Sequence, residues 1–521
     1  MRAETAALRI EAARAASETA ALRIKAAARD SAIRAELAAL RVSAPLESPS
    51  VASYATVGAE ALADLELCGR VTAAAAPAEG ASAAECAPIA SAADLERLGP
   101  WRDKKQFVAA IAPLLRAARG LEASAADPCP RILVNSERTP WLDSLRAPLR
   151  ADQLKRPDLF TTWAPFVSGR LAADGSAEGG LAARALQLDG CVCEFYEAKL
   201  GSGNLTPTDF GQLMDYHSRV RGMVRGMLFN ERYFWLYESL RERPMELTKG
   251  ELCAPGSQAL LRRFFNAGRE PKLVLLLRHL LLTLRMAPLS LDTASLAAGG
   301  GGGGSDASKR TSAYLSSGGS ARVFCVAAEG APSPYALKVC TTLSCAELNY
   351  EFSALQRAAA LGAPVVPVVE GSLTFMWDGE ARAYRGGGFL LRDVCTRAVV
   401  HTRKCCAAAF EALRALHAVG ISHGDARLPN LLRRRAEEGG ALLWIDMREA
   451  VDGEQGGGGR GAGALGAAQR ADAGQLAASV MGAESGGKLA APVQAALAGV
   501  PGDAAAYAAL ATAVSNALHF P

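Results

Sequence analysis

The stretch 421–449 contains residue types at a spacing that suits the transfer of a phosphoryl group. That reaction needs a carboxylate to orient the attacking hydroxyl, and oxygen ligands for the magnesium ions that screen the phosphates. The apolar period of EALRALHAVGI predicts a buried helix that leads into a loop, and the run ALLWI predicts a short strand. Asp425 on the loop suits the first task, whereas Asn430 and Asp446, at the strand end, suit the second.

Arg427, two residues after Asp425, carries a fixed positive charge that can reach the transferred phosphate. The words HGDARLPN and DMR resemble the catalytic loop H-R-D-x-K-x-x-N and the D-F-G motif of the protein kinase superfamily. Gly424 replaces an arginine that holds a phosphorylated activation loop in many kinases, so we expect no regulation by that route. Met447 and Arg448 replace Phe-Gly, so we do not expect the usual in/out switch of that segment. The sequence His423-Gly424-Asp425 is closer to that of the atypical and small-molecule kinases than to that of the common protein kinases.

Upstream residues supply the other parts that a kinase needs, which are a glycine loop, a strand lysine and a helix glutamate. The run SPYALKV predicts a strand, and the resemblance makes Lys338 its phosphate-binding lysine. Glu351, on the amphipathic helix ELNYEFSALQRA, would pair with Lys338, and Glu347, one turn earlier, is the alternative. Gly318 and Gly319 form the candidate glycine loop, for which the alternative is an ordinary hairpin turn.

The kinase resemblance also implies ATP and Mg²⁺ as cofactors and a protein as the phosphate acceptor. It implies that a strand and hinge at Gly388–Asp393 contact the adenine. Asp472 resembles the helix aspartate that braces the catalytic loop in kinases, and the alternative is a surface aspartate at a helix start. The glycines at 456–459 predict a shortened, mobile activation segment.

A second group of charged residues lies earlier in the chain. The run CEFYEAK predicts a strand on which Glu197 and Lys199 share one face, because strand side chains alternate, and Glu194 is a further acid on the opposite face. Asp158 precedes another strand-like stretch. If Asp158, Glu197 and Lys199 converge, the carboxylates would hold magnesium, a bound water would attack a phosphodiester, and the lysine would stabilise charge near that nucleophile.

This pattern resembles the PD-(D/E)xK nuclease superfamily, whose core is a helix, a three-strand meander that carries the acids, a second helix and a further strand. The order agrees here: a helix from Lys104, the two acids, the helix TPTDFGQLMDYHSRVRGMV and the strand RYFWLYES. Gln212, with Tyr216 one turn later, matches a glutamine and a tyrosine often found on the second helix. The run RLAADGSAEGGLAA between the acids predicts a flexible insertion. The alternative is a chance match on a solvated strand face.

The length of 521 residues predicts two or three domains, and six consecutive glycines at 299–304 predict a tether between them. We therefore expect an α+β and α/β multidomain protein with an N-terminal helix, a restriction-endonuclease-like αβ core and a bilobal protein kinase-like fold. The expected ranges are an Ala-rich helix at 1–42, a linker at 43–98, a nuclease-like domain at 99–295, a Gly-rich tether at 296–308 and a kinase-like domain at 309–521.

The N-terminal range contains the word ETAALRI twice, fourteen residues apart, which is two heptads. Its residues are strong helix formers. One interpretation is a coiled coil that self-associates. The other, favoured because the core positions are mostly alanine, is a solvated single helix or a weakly ordered tail.

The formal net charge of +4 does not indicate nucleic acid as a partner. The twelve cysteines lack the spacing of a zinc site, which favours reduced thiols in a cytoplasmic or nuclear protein. The polar, charged first residues predict no secretory signal. The most apolar segment, LVLLLRHLLLTLRM, carries Arg278 and His279, so we expect a buried helix and no membrane span.

A nuclease-like domain followed by a kinase-like domain resembles the C-terminal regions of Crinkler-type effectors. The resemblance covers residues 100–521 and rests on HGDARLPN and on EAKLGSG followed by FGQLMDY. The first hypothesis is an ATP- and Mg²⁺-dependent phosphotransferase. The second is a Mg²⁺-dependent DNA endonuclease with a regulatory kinase-like module, and the third is a pseudokinase that serves as a binding module. The third is disfavoured because a drifting site usually loses Lys338 or Asp446 first.

Overall fold

The computed structural model of the chain shows a mixed α+β architecture, as predicted, with thirteen α-helices and several sheets in the residues it describes. The N-terminal helix predicted at 1–42, the Gly-rich tether at 296–308 and the glycines at 456–459 lie outside these residues. The described residues are 51–74, 77, 81–121, 127–136, 141–143, 154–167, 181–240, 243–266, 270–289, 312–328, 333–379, 383–400, 402–434, 440–452, 461–482, 489–500 and 504–518.

The first sheet has seven strands, which are β1 (Val71–Ala73), β2 (Arg131–Asn135), β3 (Leu159–Trp163), β4 (Val192–Ala198), β5 (Met223–Phe229), β6 (Tyr233–Leu240) and β7 (Arg243–Glu251). Their order is β1-β7-β6-β5-β4-β3-β2. An antiparallel meander joins β2, β3 and β4, whereas β5 runs parallel to β4. The meander that carries Asp158 and Glu197 is as expected. The helix predicted at 206–224 instead ends at Ser218, because Gly222 takes a left-handed φ of 94°, and the strand beside β4 is β5, whereas the predicted strand RYFWLYES forms β6.

Helices cover both faces of the first sheet. They are α1 (Val51–Leu67), α2 (Ala83–Cys86), α3 (Ala92–Leu98), α4 (Lys104–Arg119), α5 (Ala183–Leu188), α6 (Pro207–Ser218) and α7 (Ser257–Asn266). One face packs on α4 and α7, with Phe107 and Phe265 in the core, and the other packs on α1 and α6, with Leu62 and Phe210 in the core.

Helix α4 shows how local sequence fixes the position of one end of this layer. The Asp103 side chain accepts a hydrogen bond from the N–H of Gln106, so it caps the first turn. The helix ends at Gly120, whose left-handed φ of 67° costs glycine little. Buried Phe107 and Ile111 recur at helical spacing. The apolar face therefore lies on the sheet, and the first turn lies at the end of β4.

The prediction of a linker at 43–98 is wrong for the described residues from 51 onward, which form three helices and the strand β1. Helix α1 packs on α6 so closely that a Cβ at Gly58 would collide with the backbone of Pro207, and one at Gly211 would collide with that of Tyr54. Strand β1 pairs with β7 at the edge of the sheet. The alanine-rich sequence hid this element, because alanine gives a weak contrast between the buried and exposed faces of a helix.

The second sheet has six strands, which are β8 (Met286–Pro288), β9 (Tyr314–Ser317), β10 (Ala321–Ala328), β11 (Tyr335–Cys340), β12 (Thr374–Trp377) and β13 (Tyr384–Leu391). The order is β12-β13-β11-β10-β8, and β9 also pairs with β10. The glycine run therefore connects β8 and β9, which both pair with β10. The domain boundary predicted at the glycine run lies earlier in the chain, and we call 51–266 the first unit and 270–518 the second unit.

Two helices sandwich the second sheet, α8 (Lys272–Leu284) and α9 (Cys345–Ala360). Alternation along β13 places Phe389 in the core formed with α9 and Leu390 in the core formed with α8. Helix α8 is the apolar segment for which a buried helix was predicted; it buries one face, with Leu276 and Leu280 in the core, whereas Leu275 and Leu282 are exposed. In the described ranges, none of the helices combines the length and the apolarity needed to cross a membrane.

The remainder of the second unit is mainly helical. Its helices are α10 (Arg403–Ala418), α11 (Gly461–Val480), α12 (Ala491–Leu497) and α13 (Ala504–Ala517). Two small sheets lie against them, one of β14 (Thr396–Arg397), β16 (Leu431–Arg433) and β17 (Leu442–Trp444), the other of β15 (Ile421–Ser422) and β18 (Val451–Asp452). The loop after β15 carries Asp425, and the segment after β17 carries Asp446.

The two units share a hydrophobic core. The ring of Phe166 in the first unit lies 5.7 Å from that of Phe324 and 6.0 Å from that of Tyr314 in the second. These side chains belong to one continuous cluster that also contains Leu277 of α8. The second sheet is therefore covered on one face by α8 and by the first unit.

Gly388 tests the packing of α8 on this sheet. A Cβ there would lie 2.7 Å from Cδ1 of Leu280 and would also collide with the carbonyl oxygen of Lys338. We expect Gly388→Val to lower the free energy of unfolding by about 1–3 kcal/mol, as overpacking of a core does. Gly379→Ala is the control, because a Cβ there meets no atom within 4 Å. Urea denaturation measures both variants, and equal midpoints would contradict the close packing.

Candidate active site

Lys338, Glu351 and Asp446 form a buried charged cluster in the second unit. Lys338 on β11 donates a hydrogen bond to Oε1 of Glu351 on α9, and its Nζ lies 3.3 Å from Oδ1 of Asp446. The Glu351 side chain is fully buried, and that of Lys338 is 7% exposed. Glu347, the alternative partner, instead closes the N-terminal capping box of α9 with Ser344. The structure thus brings together the lysine and the glutamate favoured by the sequence.

The charges of this cluster reinforce one another. Burial alone would lower the pKa of Lys338, but the negative charges of Glu351 and Asp446 outweigh burial and raise it. Burial would raise the pKa of Asp446, but the charge of Lys338 and a hydrogen bond from Arg448 lower it. Lys338 is therefore an ammonium and Asp446 a carboxylate near neutral pH.

Asp425 is held in one orientation by its own loop. Its Oδ1 accepts from Nε of Arg427 at 2.5 Å, and its Oδ2 accepts from Nη2 of Arg427 at 2.7 Å and from Nδ2 of Asn430 at 2.9 Å. Asn430 Nδ2 also donates to the carbonyl oxygen of Asp425. Because this nitrogen is committed to Asp425, Oδ1 of Asn430 is the atom available to a cation.

Asp446 is the second residue after β17 and adopts a left-handed φ of 63°, which is uncommon for residues other than glycine. Nε of Arg448 lies 2.6 Å from its Oδ1, and Nη2 of Arg448 lies 3.2 Å from its Oδ2. The sequence identified Arg448 only as a departure from a motif. Since a carboxylate offers about four acceptor positions, Asp446 still has capacity for a metal ion.

Asp472 on α11 fixes the backbone of the loop that carries Asp425. Its carboxylate accepts from Oγ of Ser422 at 2.7 Å and from the N–H groups of His423 and Gly424 at 2.6 and 2.8 Å. Nε2 of His417 lies 3.0 Å from the same group. The side chain is 1% exposed, so Asp472 is the predicted loop brace, and the alternative of a surface aspartate is wrong.

His423 and Gly424 join this loop to the segment that carries Asp446. Nε2 of His423 donates to the carbonyl oxygen of Ile445 at 2.8 Å, and its Nδ1 accepts from the N–H of Asp425. Burial lowers the pKa of His423, in keeping with a neutral ring that donates on one side and accepts on the other. Gly424 has a φ of 82°, and a Cβ there would collide with the carbonyl of Glu449. This close approach explains a glycine at a position where many kinases have arginine.

A cavity of about 340 Å³ lies between the second sheet and these loops. Five of the predicted residues line it, Gly318, Lys338, Glu351, Asn430 and Asp446, and Asp425 is hydrogen-bonded to Asn430. The remaining walls are mostly apolar and include Val323, Ala336, Phe389, Leu391, Leu432 and Ile445. The volume is within the range of small-molecule sites, roughly 300–1,000 Å³. The strand and hinge predicted to contact adenine run along this cavity.

The turn between β9 and β10 roofs the cavity. Gly318 lines it and donates a hydrogen bond to the carbonyl oxygen of Ala321, so the glycine pair is a hairpin turn that also covers the cavity, although Gly319 itself does not line it. Nη1 of Arg322 donates to the carbonyl oxygens of Gly318 and Ala321 at 2.7 and 2.9 Å. Nε of the same arginine lies 2.5 Å from Oδ2 of Asp189 in the first unit.

The charged residues predicted in the first unit also converge. Asp158 immediately precedes β3, Glu197 lies near the end of β4, and Gln212 lies on α6. Nζ of Lys199 lies 3.2 Å from Oε1 of Glu197 and 2.6 Å from Oε1 of Gln212. Nε2 of Gln212 donates to the hydroxyl of Tyr216 at 2.7 Å. These contacts form the cluster that the spacing predicted.

Lys104 completes this cluster and was missed as a site residue from the sequence. It is the first residue of α4, and its Nζ lies 2.7 Å from Oδ2 of Asp158 and 2.8 Å from Oε1 of Glu197. Burial works against its charge, but the charges of Glu197 and Asp158 raise the pKa of Lys104. A lysine at a helix start opposes the helix dipole, and this conflict is the signal that could have identified it.

Glu194, the further acid on β4, belongs to a separate buried group. Its Oε1 lies 2.5 Å from Nη2 of Arg119, and its Oε2 accepts from the hydroxyl of Tyr196 at 2.7 Å. As the strand alternation predicted, this group lies on the opposite face of the sheet from Glu197.

The two clusters differ in how well they fit a magnesium ion. In the part of the chain that the structure describes, no three His, Cys, Asp or Glu side chains are grouped to hold a metal. Mg²⁺ commonly takes only one or two protein carboxylates and completes its shell with phosphates and water, so Asp446 and Asn430 fit a nucleotide-bound ion. In the first unit, two ammonium groups already pair with the two carboxylates.

Comparisons with known proteins do not assign the chain to a family. No protein-family model matches it, and no curated protein matches it. Function is therefore inferred from the residues of the site and their geometry.

Asp472→Ala tests the loop brace. It leaves the hydroxyl of Ser422 and two backbone N–H groups buried without their acceptor, and each such group costs about 1–3 kcal/mol. We expect the free energy of unfolding to fall by about 3 kcal/mol. Asp64→Ala, at an exposed position of α1, is the control and should change stability by less than about 0.5 kcal/mol. Similar denaturation midpoints for the two variants would show that the brace contributes little.

Proposed function

We propose that the chain is an ATP- and Mg²⁺-dependent phosphotransferase that acts on a protein hydroxyl. The observation that carries the proposal is the convergence of Lys338, Glu351, Asn430 and Asp446 on one cavity from separate elements of the second unit. Asp425 is hydrogen-bonded to Asn430 beside that cavity. Each residue type is common by itself. Together they supply a phosphate-binding cation, oxygen ligands for a metal and an orienting carboxylate, which are the parts that phosphoryl transfer requires.

Each residue has a role that follows from its contacts. Lys338, held by Glu351, binds phosphate oxygens as a point charge. Asn430 and Asp446 hold Mg²⁺, which neutralises the phosphates of ATP when both are bound. Asp425 accepts the hydrogen bond of the acceptor hydroxyl, orients it and receives its proton.

The solvent exposure of the site near Asp425 favours a large molecule as the phosphate acceptor. Arg427 lies beside Asp425, and its side chain is 55% exposed, so this side of the site opens to solvent and admits a side chain of another protein. Its guanidinium can follow the transferred phosphate, since it is charged at any physiological pH. The cysteines that the structure describes form no disulfide, which supports a reducing compartment such as the cytoplasm or nucleus.

Mg²⁺-dependent cleavage of DNA by the first unit is a second candidate. It is favoured by the convergence of Asp158, Glu197, Lys199 and Gln212 on strands and a helix in the expected order. The contacts of Lys104 with both acids count against it. A pseudokinase that only binds nucleotide ranks lower, because the positions of Lys338, Asp425, Asn430 and Asp446 all hold the residue types that transfer requires.

Transfer of label from [γ-³²P]ATP in the presence of Mg²⁺ and protein acceptors tests the proposal. We expect Asp425→Asn to lower the rate by about 100-fold or more, as loss of a general base does, and to leave nucleotide affinity nearly unchanged. Asp446→Asn should abolish Mg²⁺-dependent transfer. Asp64→Asn is the exposed control. If the wild-type protein binds ATP but transfers no label, the second unit is a pseudokinase. If Lys199→Ala loses transfer whereas Asp425→Asn and Asp446→Asn retain it, the assignment of transfer to the second unit is contradicted.

The bridge between Arg322 and Asp189 should tune nucleotide affinity, because it holds the roof of the cavity. We expect Asp189→Asn and Arg322→Gln each to weaken binding of a fluorescent ATP analogue about threefold to tenfold. The double variant should be no worse than Arg322→Gln, which already loses the bridge as well as the bonds to Gly318 and Ala321. Glu246→Gln, an exposed change in the first unit, is the control. Unchanged affinity in all three variants would show that the bridge is only structural.

A further inference from the structure

The acidic pair of the first unit already has a cation between its members. Oδ2 of Asp158 accepts from the N–H of Ala198 at 2.7 Å and lies 2.7 Å from Nζ of Lys104. Oε1 of Glu197 lies 2.8 Å from the same Nζ and 3.2 Å from Nζ of Lys199. We propose that Lys104 is a built-in cation of this site and keeps divalent metal out of it.

Position is the first argument for this proposal. Each of the two oxygens that face Lys104 already receives two donors, so its usual acceptor positions are filled. A magnesium ion binds carboxylate oxygens at about 2.0–2.1 Å and requires near-ideal octahedral geometry. It can take the bridging position between Asp158 and Glu197 only if the ammonium leaves.

Charge balance is the second argument. Lys104 and Lys199 together offset the charges of the two buried carboxylates, Asp158 and Glu197, and Nζ of Lys199 also lies 3.6 Å from Oδ1 of the less buried Asp209. Glu197 is 1% exposed, and added positive charge at such a depth is costly without a counter-charge. Removal of Lys104 leaves one unbalanced carboxylate, which a divalent cation can compensate.

The location of Lys104 is the third argument. Lys104 is the first residue of α4, where the positive end of the helix dipole disfavours a cation, although the N-cap carboxylate of Asp103 offsets part of that field. The lysine is therefore held by the acids against the local preference of the helix. Its side chain is 36% exposed, so it has a path to solvent.

One acceptor of the site remains unused. Oε2 of Glu197 is buried and has no hydrogen-bond partner among the described residues. It is the ligand that an incoming metal would gain once Lys104 is removed. In the wild-type chain the same cluster works as a metal-free element of the first unit, and this inference does not depend on the phosphotransferase proposed for the second unit.

Mn²⁺ binding measured by isothermal titration calorimetry tests the inference. Every chain carries Asp446→Asn, so that the candidate metal site of the second unit is disabled. The reference chain is compared with chains that add Glu197→Gln, Lys104→Met, Lys105→Met as the neighbouring control, or Lys104→Met with Glu197→Gln. We expect a single Mn²⁺ site only in the Lys104→Met chain, with affinity at least about tenfold above the reference, and its loss on adding Glu197→Gln.

Two results would overturn the inference. One is Mn²⁺ binding by the reference chain that Glu197→Gln removes, because the metal would then coexist with Lys104. The other is the absence of a new site in a folded Lys104→Met chain. If that chain does not fold by circular dichroism, Lys104→Gln replaces it, since its amide still donates to the acids without their counter-charge, and the same two outcomes decide.

Discussion

An ammonium group between two carboxylates is the interaction on which both units depend. Removal of one member leaves an uncompensated charge, which costs about 3–5 kcal/mol where the group is buried, as around Lys338, and less around the more exposed Lys104. In each unit the lysine and its acids come from different elements, so these elements must dock together for any charge to be balanced. The two clusters differ in whether their carboxylates are available to a metal ion, because Asp446 faces a cavity whereas the acids beside Lys104 are already paired.

The first unit also forms part of the support for the cavity of the second. Helix α8 and the rings around Phe166 cover the outer face of the sheet, and Asp189 holds the arginine that fixes the roof. Asp189 follows α5, and the next strand in the chain is β4, which carries Glu197. A change in the acidic cluster therefore has a short covalent route to the roof. The two sites are linked by packing that leaves little freedom between them.

Short-range patterns in the sequence were sufficient to find most of the charged residues. Asp425, Asn430 and Asp446 lie within one local segment, so their spacing alone predicted their proximity. Lys104 was missed because it meets its partners across a long stretch of chain, and no local pattern records that contact. The domain boundary was misplaced for a related reason: a glycine run indicates a flexible connection, but not whether the strands on either side of it pair with the same neighbour.

The position of β8 has a consequence for how the chain can be divided. Residues 286–288 and α8 precede the glycine run, yet they complete the sheet that follows it. A cut between 290 and 311 would leave two fragments, each exposing an apolar surface that only the other can cover. Such fragments would remain bound as a non-covalent pair, and the later one produced alone would lack both an edge strand and a helix of its sheet. Independent folding of the second unit therefore requires a start before residue 272, not at the glycines.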